Sequence, residues 1–540
     1  MTNYNPLIMC DGYKVSHKSM YPEGTTMVYS NYTCRSTKRM PYIAKDVVVF
    51  GIQYMLRYIH DLWRNDFFAK NKEDVCGEAK EYLQKYLGMD YDVSHFEKLH
   101  DLGYLPIEIK ALPEGTIVKE GIPIFTIKNT HPDFFWVTNF LETLLSTLIW
   151  KPIHSASLAY AYNKIFTKYA KETDERNLGF VDFQGHDFSF RGMQSPESAI
   201  ASAMGFLTSF KGTDTIPALQ AISHYYTSDN VAFSVPASEH SVMSAHGKEG
   251  EIDTLRYLMS KYPKGILSVV SDTWNLWKLI TEYLPTLKEE ILARDGKLVI
   301  RPDTGIPEDI ICGDTFNKNG EFLTHVDTIN PSCKGVIELL WDIFGGTINE
   351  QGYKVLDSHI GAIYGDSITL ERAEEICKRL KAKGFASTNW VAGVGSYSMG
   401  YVTRDNQGGA VKSTYVELKC SICNGDGYTA EHDPCDPHRG GICINCPIQV
   451  QCEHCEGTGI IQREIFKDPV TGDGEKKSLK GLLCVNEVLE SDGMRLHHKG
   501  YEVKDQCTWE EEQKGLLIPV YKDGFFQNTC TFEEIRNKIK

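Results

Sequence analysis

The sequence predicts an α/β protein whose central part is built from parallel strands. Three observations carry this. From about residue 180 onward, short apolar strands end in polar residues and a helix follows each, the grammar of βα units with parallel strands and right-handed crossovers. Residues 103–130 instead alternate apolar and polar positions between turn signals, as an antiparallel unit does. The composition, 42% hydrophobic and 24% charged over 540 residues, is that of a globular chain of two or three domains.

Taken in order, residues 1–150 mix helices and short strands. GYLPIEIKALPEGTIVKEGIPIFTIKNT (103–130) carries Pro-Glu-Gly and Glu-Gly turns between its alternating runs. FFWVTNFLETLLSTLIW (134–150) reads as a buried helix. VDFQGHDFSFRG (181–192) then leads to a helix opened by Ser195 as N-cap with Pro196 at the first helical position. VAFSVPASEHS (231–241), ILSVVSDT (266–273), KLVIRPDTG (297–305), HIGAIYGDS (359–367) and NWVAGVGS (389–396) have the same strand-then-polar form. SITLERAEEICKRLKAKG (367–384) is one of the helices between them.

The polar residues fall at strand ends: His186 and Asp187, Glu239 and His240, Asp272, Arg301 with Asp303, Asp366, and the turn Gly393 to Ser396. In a (β/α) barrel these ends converge on the face that holds active sites. An open doubly wound sheet gathers ligands at the same ends. One such Asp is usually a helix cap; a series of charged strand ends points to an anionic, phosphorylated substrate with a divalent cation.

Composition narrows the classes. A net charge of −15 argues against a broad nucleic-acid or membrane surface. No run reaches the length of a membrane span, and MTNYNPLIMCDGYK lacks the basic and apolar regions of a secretion signal. Sixteen cysteines without such a signal suggest a reducing, cytoplasmic setting.

Gly365-Asp366-Ser367 and Gly393-Val394-Gly395-Ser396 each offer backbone N–H groups at a helix start, a cradle for phosphate. Neither is a Walker A loop, and no G-x-G-x-x-G follows a first strand. Arg191, Arg301, Arg404 and Lys412 are available as anion ligands, the arginines with bidentate geometry. The acidic residues suit sugar hydroxyls and Mg²⁺. His240 suits a base, a phosphate partner or a phosphoryl acceptor.

The residues carry a resemblance. DGYKVSHKSMYPEGT (11–25), CRSTKR (34–39), HDFSFRG (186–192), FKGTDT (210–215), SVPASEHS (234–241), SVVSDT (268–273), IRPDTG (300–305), GDS (365–367), TRD (403–405) and FKDPVTG (466–472) resemble, in order and rough spacing, the nicotinamide phosphoribosyltransferase family. That resemblance implies an irregular α/β barrel of the type II phosphoribosyltransferase kind, joined to an α+β domain from both chain ends. The domains would be 1–150, a barrel 151–419, an insertion 420–460 and a C-terminal segment 461–540. It implies phosphoribosyl pyrophosphate and nicotinamide as substrates, Mg²⁺, and a head-to-tail homodimer that shares its active sites.

The resemblance also implies roles. Phe188 would stack under the pyridine ring, with Tyr13 of a second subunit over the other face. Asp214 would accept the carboxamide N–H and repel nicotinate. Arg301 and Asp303 would hold the nicotinamide and ribose side, Gly365 and Asp366 the ribose, and Gly395 and Ser396 the 5′-phosphate. Arg191 would lie near the anions; Arg35, Arg404, Lys412 and Lys467, partly from the other subunit, would hold pyrophosphate. Asp272 and Asp303 would stabilise positive charge on the ribose and orient metal-bound water. His240 resembles a histidine phosphorylated from ATP, which makes ATP a co-substrate. The chain departs from the pattern in its less glycine-rich phosphate turn, in Ala410 where some members carry serine, and in Ser367 in place of glycine. The rival readings are a nicotinate phosphoribosyltransferase, and a nucleic-acid or client-protein binder with an inert enzyme body.

KSTYVEL (412–418) and REIFKDP (463–469) are close neighbours in that family, so the stretch between them is an insertion. It holds Cys420, Cys423, Cys435, His438, Cys443, Cys446, Cys452 and Cys455, as four two-ligand knuckles that make two tetrahedral zinc sites. The copies CSICNGDG and CEHCEGTG resemble the cysteine-rich module of DnaJ-type chaperones. By that likeness Cys420, Cys423, Cys452 and Cys455 share one metal, and Cys435, His438, Cys443 and Cys446 the other. The expected role is structural, with an unidentified partner or a lid function for the module.

Overall fold

In the computed structural model, which describes residues 4–40, 46–316, 330–365, 367–431, 448–467, 478–491 and 496–540, the chain divides into two compact units. One comprises Met40–Phe50, Lys151–Thr403 and Thr531–Lys540; the other Met1–Arg39, Gly51–Trp150 and Arg404–Cys530.

The first unit is the barrel. Six parallel strands lie in the order Gly212–Thr213, Gly185–Asp187, Trp390–Val394, Ile360–Tyr364, Leu298–Arg301, Leu267–Val270. Ala362 faces Trp390 on one side and Ile300 on the other. Ile360–Tyr364 and Leu267–Val270 are buried at every position, as expected of strands covered on both faces. Residues 231–241, expected as another strand, do not form one. They make single-residue parallel bridges, Phe233 to Gly212 and Ala237 to Ser268, and so join the two edge strands and close an irregular barrel. Pro236 explains the interruption: it has no N–H to donate, while its carbonyl accepts from Ser268 N at 2.9 Å.

Helices cover the strands. Ser195 caps Pro196–Phe206 by accepting from Ser198 N, with proline in the first turn as the sequence implies. The helix expected to end near residue 150 instead runs Glu142–Thr173, straight through Pro152. Ile153, Ala156, Ala159, Tyr162 and Phe166 are all fully buried along it. That packing outweighs the backbone hydrogen bond a mid-helix proline removes.

The second unit holds a seven-stranded sheet, in the order Ile460–Glu464, Gly409–Lys419, Thr25–Cys34, Pro123–Asn129, Ile107–Ala111, Ile518–Lys522, Phe525–Phe526. Neighbours run antiparallel, including the expected pairing within residues 103–130. Lys419 pairs with Ile460, so the two ends of the cysteine-rich insertion leave the sheet side by side. No helix among the described residues is long and apolar enough to cross a membrane.

Candidate active site

At the end of the strand Gly185–Asp187 the chain turns so that Phe188 N donates to Val394 O at 3.0 Å. This seats the Phe188 ring over Gly393, where a Cβ would stand 2.6 Å from the ring. The Arg301 guanidinium lies 5.9 Å from the Phe188 ring centre, and the His186 ring 4.6 Å away. Asp214 completes the group. Its Oδ1 accepts from His186 Nε2 at 2.9 Å and from Ser234 Oγ at 2.7 Å. Burial pushes the Asp214 carboxyl up, but the His186 and Ser234 hydrogen bonds and the charges of His186 and Arg301 outweigh it and hold the group below its usual range. These residues border a largely apolar cavity of about 460 Å³ inside the barrel, lined deeper in by Val299, Ile360 and Trp390.

Sequence reasoning misses two of these residues, His186 as the support of Asp214 and Ser234 as its second donor. The signal is present in HDF and SVP, but nothing in spacing alone pairs positions so far apart in the chain. Asp187, the other acid of its strand end, is structural. Its carboxylate is wholly buried and accepts from Ser189 N and Oγ, Thr213 Oγ1 and Thr215 Oγ1.

A second cluster sits at the neighbouring strand ends. His240 opens the helix His240–Ala245 and shares a 2.9 Å hydrogen bond between Nδ1 and Thr273 Oγ1. Its Nε2 stands 3.9 Å from Asp272 Oδ1 and 3.9 Å from Asp303 Oδ2. Asp272 Oδ2 accepts from Asp303 N at 2.8 Å and Thr304 N at 2.7 Å, which fixes the loop after Arg301. Asp272 Oδ1 is buried without a hydrogen-bond partner among the described residues. An orphaned carboxylate oxygen beside a second acid is the donor set a hard divalent cation takes, directly or through water.

The expected anion turns border this cluster. Gly365 lies against Asp303, where a Cβ would meet Oδ1 at 2.2 Å. Gly395 opens onto free space and precedes the short helix Ser396–Met399. The exposed Arg191 is in the turn Phe190–Gly192, and Gly192 packs on the Ser396 side chain, where a Cβ would stand 2.0 Å from Oγ. Asp366 lies outside the described residues.

In the other unit, Arg35, Arg404 and Lys412 form one cationic group with Lys14. Burial lowers the Lys412 amine, Glu142 raises it, and Arg35, Lys14 and Arg404 lower it again. Lys412 stands 3.7 Å from Glu142, which also pairs with Lys14. Arg35 Nε donates to Gly408 O at 3.0 Å. Tyr13 is 60% exposed, with the Lys14 amine 5.3 Å from its ring centre and the His17 ring 5.3 Å away. Lys467 is exposed, and its backbone N–H donates to Ser478 Oγ at 2.8 Å.

The same unit carries a four-cysteine cluster. Cys420, Cys423, Cys452 and Cys455 are buried, and their sulfurs all lie within 4.8 Å of one another. Cys420 to Cys452 is 3.8 Å and Cys423 to Cys455 is 3.6 Å, near the roughly 3.8 Å edge of a tetrahedron with metal–sulfur bonds of about 2.3 Å. The two knuckles are arranged alike. Gly427 N donates to Cys423 Sγ and Gly459 N to Cys455 Sγ, both at 3.2 Å. Cys420 N donates to Gly459 O and Cys452 N to Gly427 O, both at 2.8 Å. Gly427 and Gly459 have positive φ and approach the opposite knuckle's backbone so closely that a Cβ would stand 2.3 and 2.2 Å from a carbonyl oxygen. The second glycine of each C-x-x-C-x-G-x-G repeat is therefore required by the join. Cys435, His438, Cys443 and Cys446 lie outside the described residues.

An aromatic face beside a carboxylate acceptor, next to acid-bearing strand ends of an irregular α/β barrel, is the architecture of a type II phosphoribosyltransferase. Comparison with known proteins gives that class its family. Residues 183–454 match the model of the nicotinate phosphoribosyltransferase family, and residues 5–109 that of the nicotinamide phosphoribosyltransferase N-terminal domain. The chain is 41% identical to nicotinamide phosphoribosyltransferase of Acinetobacter baylyi, over 99% of this chain and 97% of that one. It is 36% identical to the protein of that name from Mycoplasma pneumoniae, over 77% and 90%. The fold is similar to that of human nicotinic acid phosphoribosyltransferase, with a TM-score of 0.51 at 14% identity over 98% and 92% of the two chains. The chain belongs to the nicotinate and nicotinamide phosphoribosyltransferase family.

Proposed function

We propose that the protein transfers the phosphoribosyl group of phosphoribosyl pyrophosphate to nicotinamide, giving nicotinamide mononucleotide and pyrophosphate in NAD salvage. The observation that carries this reading is the Asp214 carboxylate, held ionised by His186 and Ser234 beside the Phe188 ring. An ionised acceptor there takes the carboxamide N–H of nicotinamide, whereas nicotinate would set two carboxylates face to face. The nicotinate reading is disfavoured on that ground.

Phe188 stacks on one face of the pyridine, and Tyr13 of a second copy covers the other, in a homodimer that shares its sites. With the ring so fixed, its nitrogen attacks the ribose anomeric carbon while the bond to pyrophosphate breaks. Asp303 and Gly365, with Asp366, orient the ribose; Gly395 and Ser396 take the 5′-phosphate, with Arg191 near the anions. Positive charge that develops on the sugar is met by Asp272 and Asp303. Arg35, Arg404, Lys412 and Lys467, partly from the second subunit, take the charge of the leaving pyrophosphate. Asp272, with its orphaned Oδ1, and Asp303 would hold Mg²⁺, which would supply positive charge to neutralise the pyrophosphate oxygens. His240, first in its helix and flanked by both acids, is the acceptor in an ATP-dependent phosphorylation that tightens substrate binding.

The four-cysteine cluster is a structural zinc site, since protein sulfurs fill a whole tetrahedron; the inner Cys435, His438, Cys443 and Cys446 set is a second. The zinc-stapled module is an interaction or lid element, and the protein acts in the cytoplasm. Incubation of purified protein with phosphoribosyl pyrophosphate, Mg²⁺ and labelled nicotinamide, with and without ATP, tests the reaction. Labelled mononucleotide is the expected product, with ATP lowering the KM values. No product under either condition contradicts the assignment.

A further inference from the structure

Ser367 has a φ of +47°, in the left-handed region that residues with a Cβ seldom occupy. It follows the Gly365 turn at the end of the strand Ile360–Tyr364. An outlier of this kind persists only where its surroundings hold it, and here one side chain does so. Arg372 Nη1 donates to the Ser367 carbonyl at 2.8 Å and to Ser367 Oγ at 2.6 Å.

Arg372 is itself anchored at two places. It lies in the first turn of the helix Leu370–Ala382, where its N–H donates to the capping Thr369 hydroxyl at 3.3 Å. Its Nε faces Glu308 Oε2 at 3.8 Å, and Glu308 belongs to the helix Pro307–Cys312 that follows the Arg301 to Asp303 loop. On the far side of Ser367, the Ile368 carbonyl accepts from Tyr162 Oη at 2.7 Å and from Ser398 Oγ at 2.7 Å. Ser398 lies in the short helix Ser396–Met399 behind Gly395. A continuous set of contacts thus connects the loops after Arg301, Tyr364 and Val394. These are the loops to which the phosphoribosyl group is assigned above.

We propose that Arg372 is a positioning residue for phosphoribosyl pyrophosphate: it clamps Ser367 in its left-handed conformation and thereby fixes the ribose turn relative to the phosphate turn. It does not touch substrate. The inference rests on the assignment of these turns to that substrate. Its physical core is that glycine adopts a positive φ without help, whereas serine needs the clamp. Arg372 therefore matters because residue 367 is serine.

Steady-state kinetics of R372L, S367G and the double variant test this. R372L should raise the KM for phosphoribosyl pyrophosphate by about tenfold, on the scale of the left-handed penalty. Its kcat should stay within about threefold and its KM for nicotinamide within about twofold. In the S367G background the R372L effect should shrink to under about twofold. R372K, which keeps one donor, should fall between. An unchanged KM in R372L overturns the proposal, and so does a tenfold loss that persists in the S367G background, since Arg372 would then act on substrate directly. If R372L does not fold, R372Q carries the same comparison. Amide exchange at Ser367 and Ile368 needs no turnover: faster exchange in R372L than in wild type supports the clamp, and equal exchange overturns it. A wild-type protein that makes no product from phosphoribosyl pyrophosphate instead contradicts the assignment of the reaction.

Discussion

His186 donates its Nε2 hydrogen to Asp214 Oδ1 at 2.9 Å, from a strand that Gly212 lets approach closely enough for the pair to form. The two residues lie on neighbouring strand ends, since His186 pairs with Gly212. On the proposed reading, the relationship makes Asp214 an acceptor that is oriented and ionised before nicotinamide arrives.

That linkage has a pH signature. In wild type the Asp214 carboxyl lies below its usual value, so the charge is present above about pH 3.9 and is lost only as pH falls through the lower folded value. H186A removes one of the interactions that hold the carboxyl down and leaves burial opposed only by the Ser234 hydrogen bond and the Arg301 charge, so the carboxyl moves up. The nicotinamide KM of H186A should rise at a higher pH than that of wild type as the solution is acidified below neutrality. Parallel KM profiles for the two proteins would show that His186 does not hold the charge.

With Phe188 as the stacking face of the proposed reaction, F188A should raise the nicotinamide KM by roughly 10- to 30-fold and leave the KM for phosphoribosyl pyrophosphate within about twofold. F188Y should behave as wild type. Equal losses for both substrates would point to collapse of the barrel mouth rather than loss of stacking.

Gly393 is the seat of that ring, with a Cβ position 2.6 Å from Phe188 and 2.7 Å from the Tyr364 carbonyl. The backbone oxygen cannot yield as a flexible side chain would. G393A should therefore displace the ring, raise the nicotinamide KM at least tenfold and lower the melting temperature by a few degrees. Wild-type kinetics in G393A would show that the ring is free to shift.

Much of this site is legible in the sequence because its chemistry sits at strand ends, and apolar runs that stop at Asp, His or Arg mark those ends one by one. Phe188, Asp214, Asp272, Arg301 and Asp303 all emerge that way or through the family motifs. Contacts between distant positions are not legible. Nothing local pairs His186 with Asp214, because the pairing is created by the parallel register; Arg372 and Ser367 are only five residues apart, but their spacing does not reveal the left-handed turn that joins them. The closing segment misleads for a related reason: VAFSVPASEHS has a strand's composition, but Pro236 and the single-residue bridges at Phe233 and Ala237 leave it irregular. The helix over Pro152 fails the opposite way, since a local breaker is overridden by a fully buried face. The four-cysteine cluster is legible outright, because the repeat C-x-x-C-x-G-x-G encodes both its thiols and the glycines where the knuckles meet.

That cluster makes a prediction of its own. Protein purified without chelator should contain zinc, and C420S or C452S should each reduce the metal content by about one equivalent and lower the melting temperature by several degrees. Metal analysis by mass spectrometry checks this. Full zinc content in C420S would mean that the buried thiols are not its ligands.

The most direct test of the central claim is the ratio of kcat/KM for nicotinamide to that for nicotinate, measured with phosphoribosyl pyrophosphate and Mg²⁺ on wild type and D214N. The ionised Asp214 predicts a wild-type preference for nicotinamide of at least about 100-fold, and a fall in that ratio of tenfold or more in D214N. A wild-type enzyme that uses nicotinate as well as nicotinamide, or an unchanged ratio in D214N, would contradict the role assigned to this carboxylate.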